Sequence, residues 1–277
     1  MIRAATVLVA IWAAGLAPGS ANGQWTLQPG HGWLSTTLYH HRTSRSFDEA
    51  GRAEPFFADG RAVTTSLYVT AAMGVIRGLD VWAQLPVHRL NFENAAGPRE
   101  RLGFGDPRFY LRISPQLAGR NVPIALRGGV KLPGGHFPVD AEIIPLGEGQ
   151  RDWELMLEIG HSLYPKSLYL AGWAGRRWRA LNRAAARKPG DEWFAFLSAG
   201  GRRDRFVWKV ILEGWKGDAP RIQGFTIPSA RREMLQTMPS VGWDVGAGVI
   251  ELGVRIPVAG KNLPAGPAGV VGFFVTR

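Results

Sequence analysis

The 277-residue sequence contains no cysteine, which excludes a disulfide scaffold. Beyond the first two dozen residues no unbroken apolar run approaches the roughly 20 residues that a membrane-spanning helix requires. If the chain crosses a membrane, it does so with strands. There is no Gly-x-x-x-x-Gly-Lys-Ser/Thr phosphate loop, no Cys-x-x-Cys pair and no dinucleotide fingerprint, so no cofactor is implied. No Gly-x-Ser-x-Gly elbow is present, and none of the six histidines stands in a His-Glu-x-x-His pattern. The residues therefore point away from an enzyme. Acidic residues are scarce, 22 against 33 basic ones, for a net charge of +11. The basic residues are scattered, and the clusters Arg176–Arg179 and Arg202–Arg205 flank strand-like segments without forming a helix or an arm. This distribution argues against nucleic acid and for anionic lipid head groups, lipopolysaccharide or anionic solutes.

The first residues differ in kind from the rest. Arg3 precedes an apolar run from Ala4 to Ala17, followed by Pro18-Gly-Ser-Ala-Asn-Gly23. A basic start, a hydrophobic segment too short to span and small residues near its end predict a secretory signal peptide over 1–23, cleaved within 21–24. The mature domain is then 24–277.

What fills that domain is alternation. Phe109, Leu111 and Ile113 point one way while Arg108, Tyr110 and Arg112 point the other. Ile124, Leu126 and Val130 likewise oppose Arg127 and Lys131. Period-2 alternation marks a strand with two unlike faces. The same pattern sets Trp153, Leu155, Leu157 and Ile159 against Asp152, Glu154 and Glu158, and Ile250, Leu252, Val254 and Ile256 against Glu251 and Arg255. Strand-like segments lie near 32–44, 62–76, 79–91, 104–114, 122–132, 151–163, 167–179, 191–202, 205–216, 230–243, 246–257 and 266–276.

The connections between these segments alternate in length. Ser46–Arg61, Phe92–Gly103, Pro133–Gln150, Ala180–Gly190, Gly217–Ser229 and Pro257–Gly266 are long, whereas Ile76-Arg-Gly78, Tyr164–Ser167, Arg202-Arg-Asp204 and Asp244-Val-Gly246 are tight and Ser114–Asn121 is moderate. A soluble sandwich has no reason to sort its loops by parity. A transmembrane antiparallel up-and-down β-barrel of about 12 strands does, with short periplasmic turns and longer extracellular loops. Trp33, Trp82, Trp153, Trp173, Trp178, Trp193, Trp208, Trp215 and Trp243 recur near the segment ends, as aromatic girdles would.

In such a barrel the polar face turns inward. Strand parity then places Arg108, Tyr110, Arg112, Arg127, Lys131, Glu154, Glu158, Lys209, Glu213, Glu251 and Arg255 in the lumen, as pore-lining residues or as ion pairs that fill and stiffen it. Arg108, Arg112, Arg127 and Lys131 would form one basic wall.

Four stretches resemble a known family in the same order: Gly103-Phe-Gly-Asp-Pro-Arg108, Val130-Lys-Leu-Pro-Gly-Gly135, Leu146-Gly-Glu-Gly-Gln-Arg-Asp-Trp-Glu154 and Gly190-Asp-Glu-Trp-Phe-Ala-Phe196. They are similar to motifs of the outer-membrane transporter barrels of the "MetA-pathway of phenol degradation" type, and the likeness spans roughly Thr64 to Arg202. The resemblance implies import of small, often hydrophobic or aromatic molecules. The expectation is an outer-membrane β-barrel acting as a passive pore or transporter. Its partners would be outer-membrane lipid and lipopolysaccharide, a small-molecule solute and the barrel assembly machinery. The alternatives are an outer-membrane lipid hydrolase and a structural barrel with a side-chain-filled lumen.

Overall fold

A computed structural model describes residues 26–117, 120–121, 124–134 and 144–277. The expected signal peptide, 1–23, lies outside the described residues. Twelve strands follow in order: β1 (Gly32–Thr43), β2 (Arg61–Ile76), β3 (Leu79–Asn94), β4 in two segments (Gly97–Phe104 and Arg108–Ile113), β5 (Ile124–Lys131), β6 (Asp152–Ser162), β7 (Leu168–Arg179), β8 (Glu192–Arg203), β9 (Phe206–Gly217), β10 (Glu233–Asp244), β11 (Val249–Lys261) and β12 (Ala268–Thr276). Each pairs antiparallel with its neighbours in the chain. β12 returns to β1 in the register Trp33↔Thr276 to His41↔Ala268, so the sheet closes on itself. Closure satisfies strand edges that an open sheet would leave exposed.

The burial pattern is that of an inverted core. Along β6 the side chains of Asp152, Glu154, Met156 and Glu158 are at most 5% exposed, whereas Trp153, Leu155, Leu157 and Ile159 are between 43% and 58% exposed. The same inversion holds on β11, where Ile250, Leu252, Val254 and Ile256 are all exposed. The largest fully buried side chains are Lys131, Glu158, Asp80, Asp152 and Ser66. Water would reward the opposite arrangement; an apolar solvent around the wall and a polar interior reward this one.

The connections sort by end of the barrel. Arg77-Gly78, Asp204-Arg205, 163–167 and 245–248 are tight links at one end. Gly78 takes φ +83° and Gly246 +86°, conformations a side chain would resist. The chain enters β1 and leaves β12 at this same end, where Gly32 and Arg277 exchange backbone hydrogen bonds of 3.0 and 2.8 Å. The opposite end carries the long loops and two small accessory sheets, Arg45–Phe47 with Ala53–Pro55 and Leu263–Ala265, and Arg187–Lys188 with Arg221–Ile222 and Phe225–Thr226.

Two expectations are corrected. Phe92–Gly103 is not a loop but the top of a hairpin: β3 continues to Asn94, turns at Ala95-Ala96 and returns through Gly97–Phe104. The Asn94 side chain accepts the Ala96 N–H at 3.1 Å and Gly97 sits at φ +109°, so four residues suffice for the reversal. The nine tryptophans do not all form girdles. Trp153, Trp178 and Trp193 face outward near the loop end, and Trp208 and Trp243 face outward near the turn end. Arg176 shares the outer surface of the first group, its guanidinium 5.1 Å from the Trp193 ring. Trp33, Trp82, Trp173 and Trp215 turn inward instead, because each shares strand parity with polar lumenal neighbours such as Asp80 and Gln84.

Candidate functional site

The barrel encloses a cavity of about 850 Å³. Among the described residues its lining carries eight arginine and lysine side chains against five carboxylates, interleaved with aromatic rings. The charges are organised in two layers.

The upper layer, towards the loop end, is built where β5 ends and β6 begins. Lys131, 2% exposed, places its Nζ 2.6 Å from Glu148, 2.8 Å from Asp152 and 3.2 Å from Asp106. Arg179 on β7 joins them, 3.4 Å from Asp152 and 3.0 Å from Glu192, and also pairs with Glu148. Arg177 holds Glu154 at 2.7 Å and pairs with Glu192, while Tyr110 donates to Glu154 at 3.0 Å and Arg108 lies 3.7 Å from it. Removing charge from water is costly, and only multiple pairing of this kind makes it tolerable.

The same layer pins the loop before β6. Asp106 accepts the Glu148 N–H at 2.8 Å and the Gly134 N–H at 3.1 Å, gathering the two ends of the segment between β5 and β6. Asp106 itself sits in the break that splits β4, with the Gly105 N–H donated to the Pro86 carbonyl at 3.0 Å. Glycine is required at Gly105 and Gly147: a Cβ at the first would enter the His88 ring and at the second the Asp106 carboxylate. Burial pushes the Glu148 carboxyl up, but Arg179 and Lys131 outweigh it and hold the group below the usual carboxylate range. The Glu148 side chain remains 41% exposed, so water screens part of this field.

The lower layer lies towards the turn end. Asp80 is fully buried and accepts Arg112 Nε at 2.9 Å and the Leu27 N–H at 2.8 Å, so the segment before β1 reaches into the barrel. Arg112 stands 3.6 Å from Glu158, and Arg127 Nε 2.7 Å from the same carboxylate with its N–H directed at Met156 Sδ, 3.0 Å away. The Arg127 guanidinium is ringed by Trp82 at 4.7 Å, Tyr110 at 5.2 Å and Trp173 at 5.5 Å. On the remaining wall Lys209 pairs with Glu251 at 2.8 Å, Glu213 accepts the Gln236 amide at 2.8 Å, and the Arg255 guanidinium lies 5.1 Å from the Tyr39 ring centroid.

Of the residues expected in the lumen, Arg108, Tyr110, Arg127, Lys131, Glu154, Glu213 and Arg255 line the cavity. Arg112 and Glu158 are sealed in the lower layer, and Lys209 and Glu251 are spent on one another. Arg108, Arg112, Arg127 and Lys131 do not stand as a bare basic wall, because β6 and Asp80 supply a carboxylate to each. The lumen set expected from the sequence leaves out Asp80, Asp106, Glu148, Asp152, Arg177, Arg179 and Glu192. Parity along β7 would have found the two arginines. Asp152 already shared a face with Glu154 and Glu158; Asp106, Glu148 and Glu192 were visible only as motif positions and Asp80 in no motif, and the four motif stretches, far apart in the chain, meet in the upper layer.

Among the described residues the serine–histidine pair at hydrogen-bond distance is the cross-strand pair Ser66 and His88, whose Oγ and Nδ1 are 2.7 Å apart. Ser66 is 2% exposed and faces inward, which denies its oxygen to a lipid substrate on the outer surface. Among the described residues no group of three or more histidine and carboxylate side chains is placed to hold a metal ion.

No family model matches the sequence, and no curated protein does. Solved structures do match. The COG4313 outer membrane channel from Pseudomonas putida F1 aligns over 95% of this chain and 100% of its own, with a TM-score of 0.76 at 15% identity. The fold is that of an outer-membrane β-barrel. The β domain of a Bordetella autotransporter aligns over 90% of this chain and 100% of its own (TM-score 0.57, 12% identity). The translocator domain of an autotransporter from Neisseria meningitidis aligns over 90% and 89% (TM-score 0.52, 12% identity).

Proposed function

We propose that the protein is an outer-membrane channel through which small molecules diffuse, exported by its N-terminal signal and inserted by the barrel assembly machinery among lipopolysaccharide. One observation carries this reading: a closed barrel with an apolar exterior encloses a charged cavity of about 850 Å³, space that a purely structural barrel has no need to keep. The structural match to a protein described as an outer membrane channel is consistent with it. In this reading the lining arginines and carboxylates from Arg108 to Arg255 are pore residues. The resemblance to transporter barrels suggests hydrophobic or aromatic solutes.

Purified protein in a planar bilayer is expected to give discrete single-channel currents, and it should migrate as a heat-modifiable band from the outer-membrane fraction. A second reading, a barrel stiffened and filled by its ion pairs, draws on the sealed Asp80–Arg112–Glu158–Arg127 layer. It predicts no current at all. Recovery of the mature chain as soluble periplasmic material would refute both.

A further inference from the structure

The cavity's carboxylates are occupied. Glu148, Glu154 and Glu192 are each held by two or more cations within 4.0 Å, and Glu213 accepts the Gln236 amide. Among the described residues two lining cations are not: Arg187, on the exposed accessory sheet at the loop end, and Arg255, on the barrel wall itself. Arg255, the central residue of the 13-residue β11, has no carboxylate at ion-pair distance among the described residues, and its one charge-bearing contact is with the Tyr39 ring. A half-buried guanidinium without a counter-charge, inside a wall that excludes water on its far side, is a standing site for an anion.

An aromatic surface borders the same cavity. Trp173 and Phe196 point inward from β7 and β8 and stack at 3.6 Å with an interplanar angle of 13°. Phe194 and Trp215 extend this surface towards the loop end. Each is matched by a guanidinium, Arg177 5.5 Å from the Phe194 ring and Arg232 5.5 Å from the Trp215 ring. A solute moving inward therefore meets cation and ring together, then a cavity lined by the Trp173–Phe196 stack and, from β11 beyond β9 and β10, by Arg255. The chemistry that uses both is a small aromatic ring bearing one carboxylate: the ring stacks, and the carboxylate takes a charge-assisted hydrogen bond from the guanidinium.

We infer that the cavity is a binding site for small aromatic monocarboxylates, with Arg255 as the carboxylate anchor and Trp173–Phe196 as the ring platform. This rests on the channel reading. It adds to it the sign of the solute's charge and the residues that select it.

The test is isothermal titration of the full mature protein in detergent with benzoate, acetate, benzyl alcohol and benzylammonium, alongside the current recorded with each. Benzoate is expected to bind saturably and to reduce the current, with the other three at least about tenfold weaker. Arg255→Gln should weaken benzoate by about tenfold and leave benzyl alcohol unchanged, and Arg255→Lys should keep the preference for the anion. Trp173→Ala should weaken benzoate and benzyl alcohol alike. Equal binding of benzoate and benzyl alcohol, stronger binding of benzylammonium, or an unchanged benzoate affinity in Arg255→Gln would overturn the assignment. A channel that conducts without preferring benzoate sinks the inference and keeps the channel. Benzoate bound through Arg255 in a protein that never conducts does the reverse.

Discussion

Lys131 and Asp152 are register partners across the β5–β6 seam, the last residue of one strand facing the first of the next, with Nζ 2.8 Å from the carboxylate. The pair therefore joins the two ends of the 20-residue connection between β5 and β6 at one level of the wall. It also anchors the upper charge layer, since Lys131 reaches Asp106 and Glu148 as well.

Removing that lysine should be expensive. Lys131→Met takes from Asp106 its ion-pair partner among the described residues and leaves Arg179 to hold Asp152, and loss of one partner from a buried network costs about 3–5 kcal/mol. Urea titration of the folded band should show the loss. Combining the change with Asp152→Asn should recover part of it, because the two residues share one interaction. Additive losses would argue against the pairing.

Glu148 should act as the fastening of the loop. Its carboxyl is held below the ordinary range in the folded state, so its contribution is complete above the unfolded value of about 4.3 and is lost only as pH falls through the lower, folded value. Protection of residues 144–150 from protease is therefore expected to be constant between roughly pH 5 and 8. Glu148→Gln should raise the cleavage rate by about tenfold at neutral pH, since a neutral amide forfeits three cationic contacts. Cleavage that accelerates at mildly acidic pH in the unaltered protein would contradict this.

The outer surface is predicted to respond to charge by depth. Leu157 lies mid-strand on β6 and is 58% exposed, and an arginine there should cost about 2–4 kcal/mol in folding into lipid vesicles. The comparable change on the inner face, Thr70→Arg, should leave insertion intact. If both are tolerated equally, the exterior does not face lipid.

Gly147→Ala should release the same loop by a different route. The added methyl would occupy the space of the Asp106 carboxylate that accepts the Glu148 N–H. Overpacking of this kind costs about 1–3 kcal/mol, read as earlier loss of loop protection with the barrel band unchanged.

Much of the architecture was legible because a strand has a period of 2, and any residue's face follows from counting. Leu155, Leu157 and Ile159 announce one face and Glu154 and Glu158 the other, whatever lies around them. Counting also bounds the strands, except where polar residues such as Glu93, Asn94 and Glu100 made a hairpin look like a loop. It did not sort the tryptophans, because nearness to a strand end was read in place of parity at Trp82 and Trp173.

What the sequence by itself determined was a chain of two-faced strands with connections of alternating length, and from these a barrel turned inside out. Which charge meets which was decided only by the closed sheet. Asp80 finds Arg112 across 32 residues and Arg179 finds Glu192 across 13, because strand register, not chain distance, fixes what lies opposite. The physical reason is that a buried charge is stable only when its partners converge in space. Alternation specifies the face on which a charge stands; pairing around the whole barrel specifies the company it keeps, and among the described residues it leaves Arg255 on the lumenal face of β11 without a carboxylate at ion-pair distance.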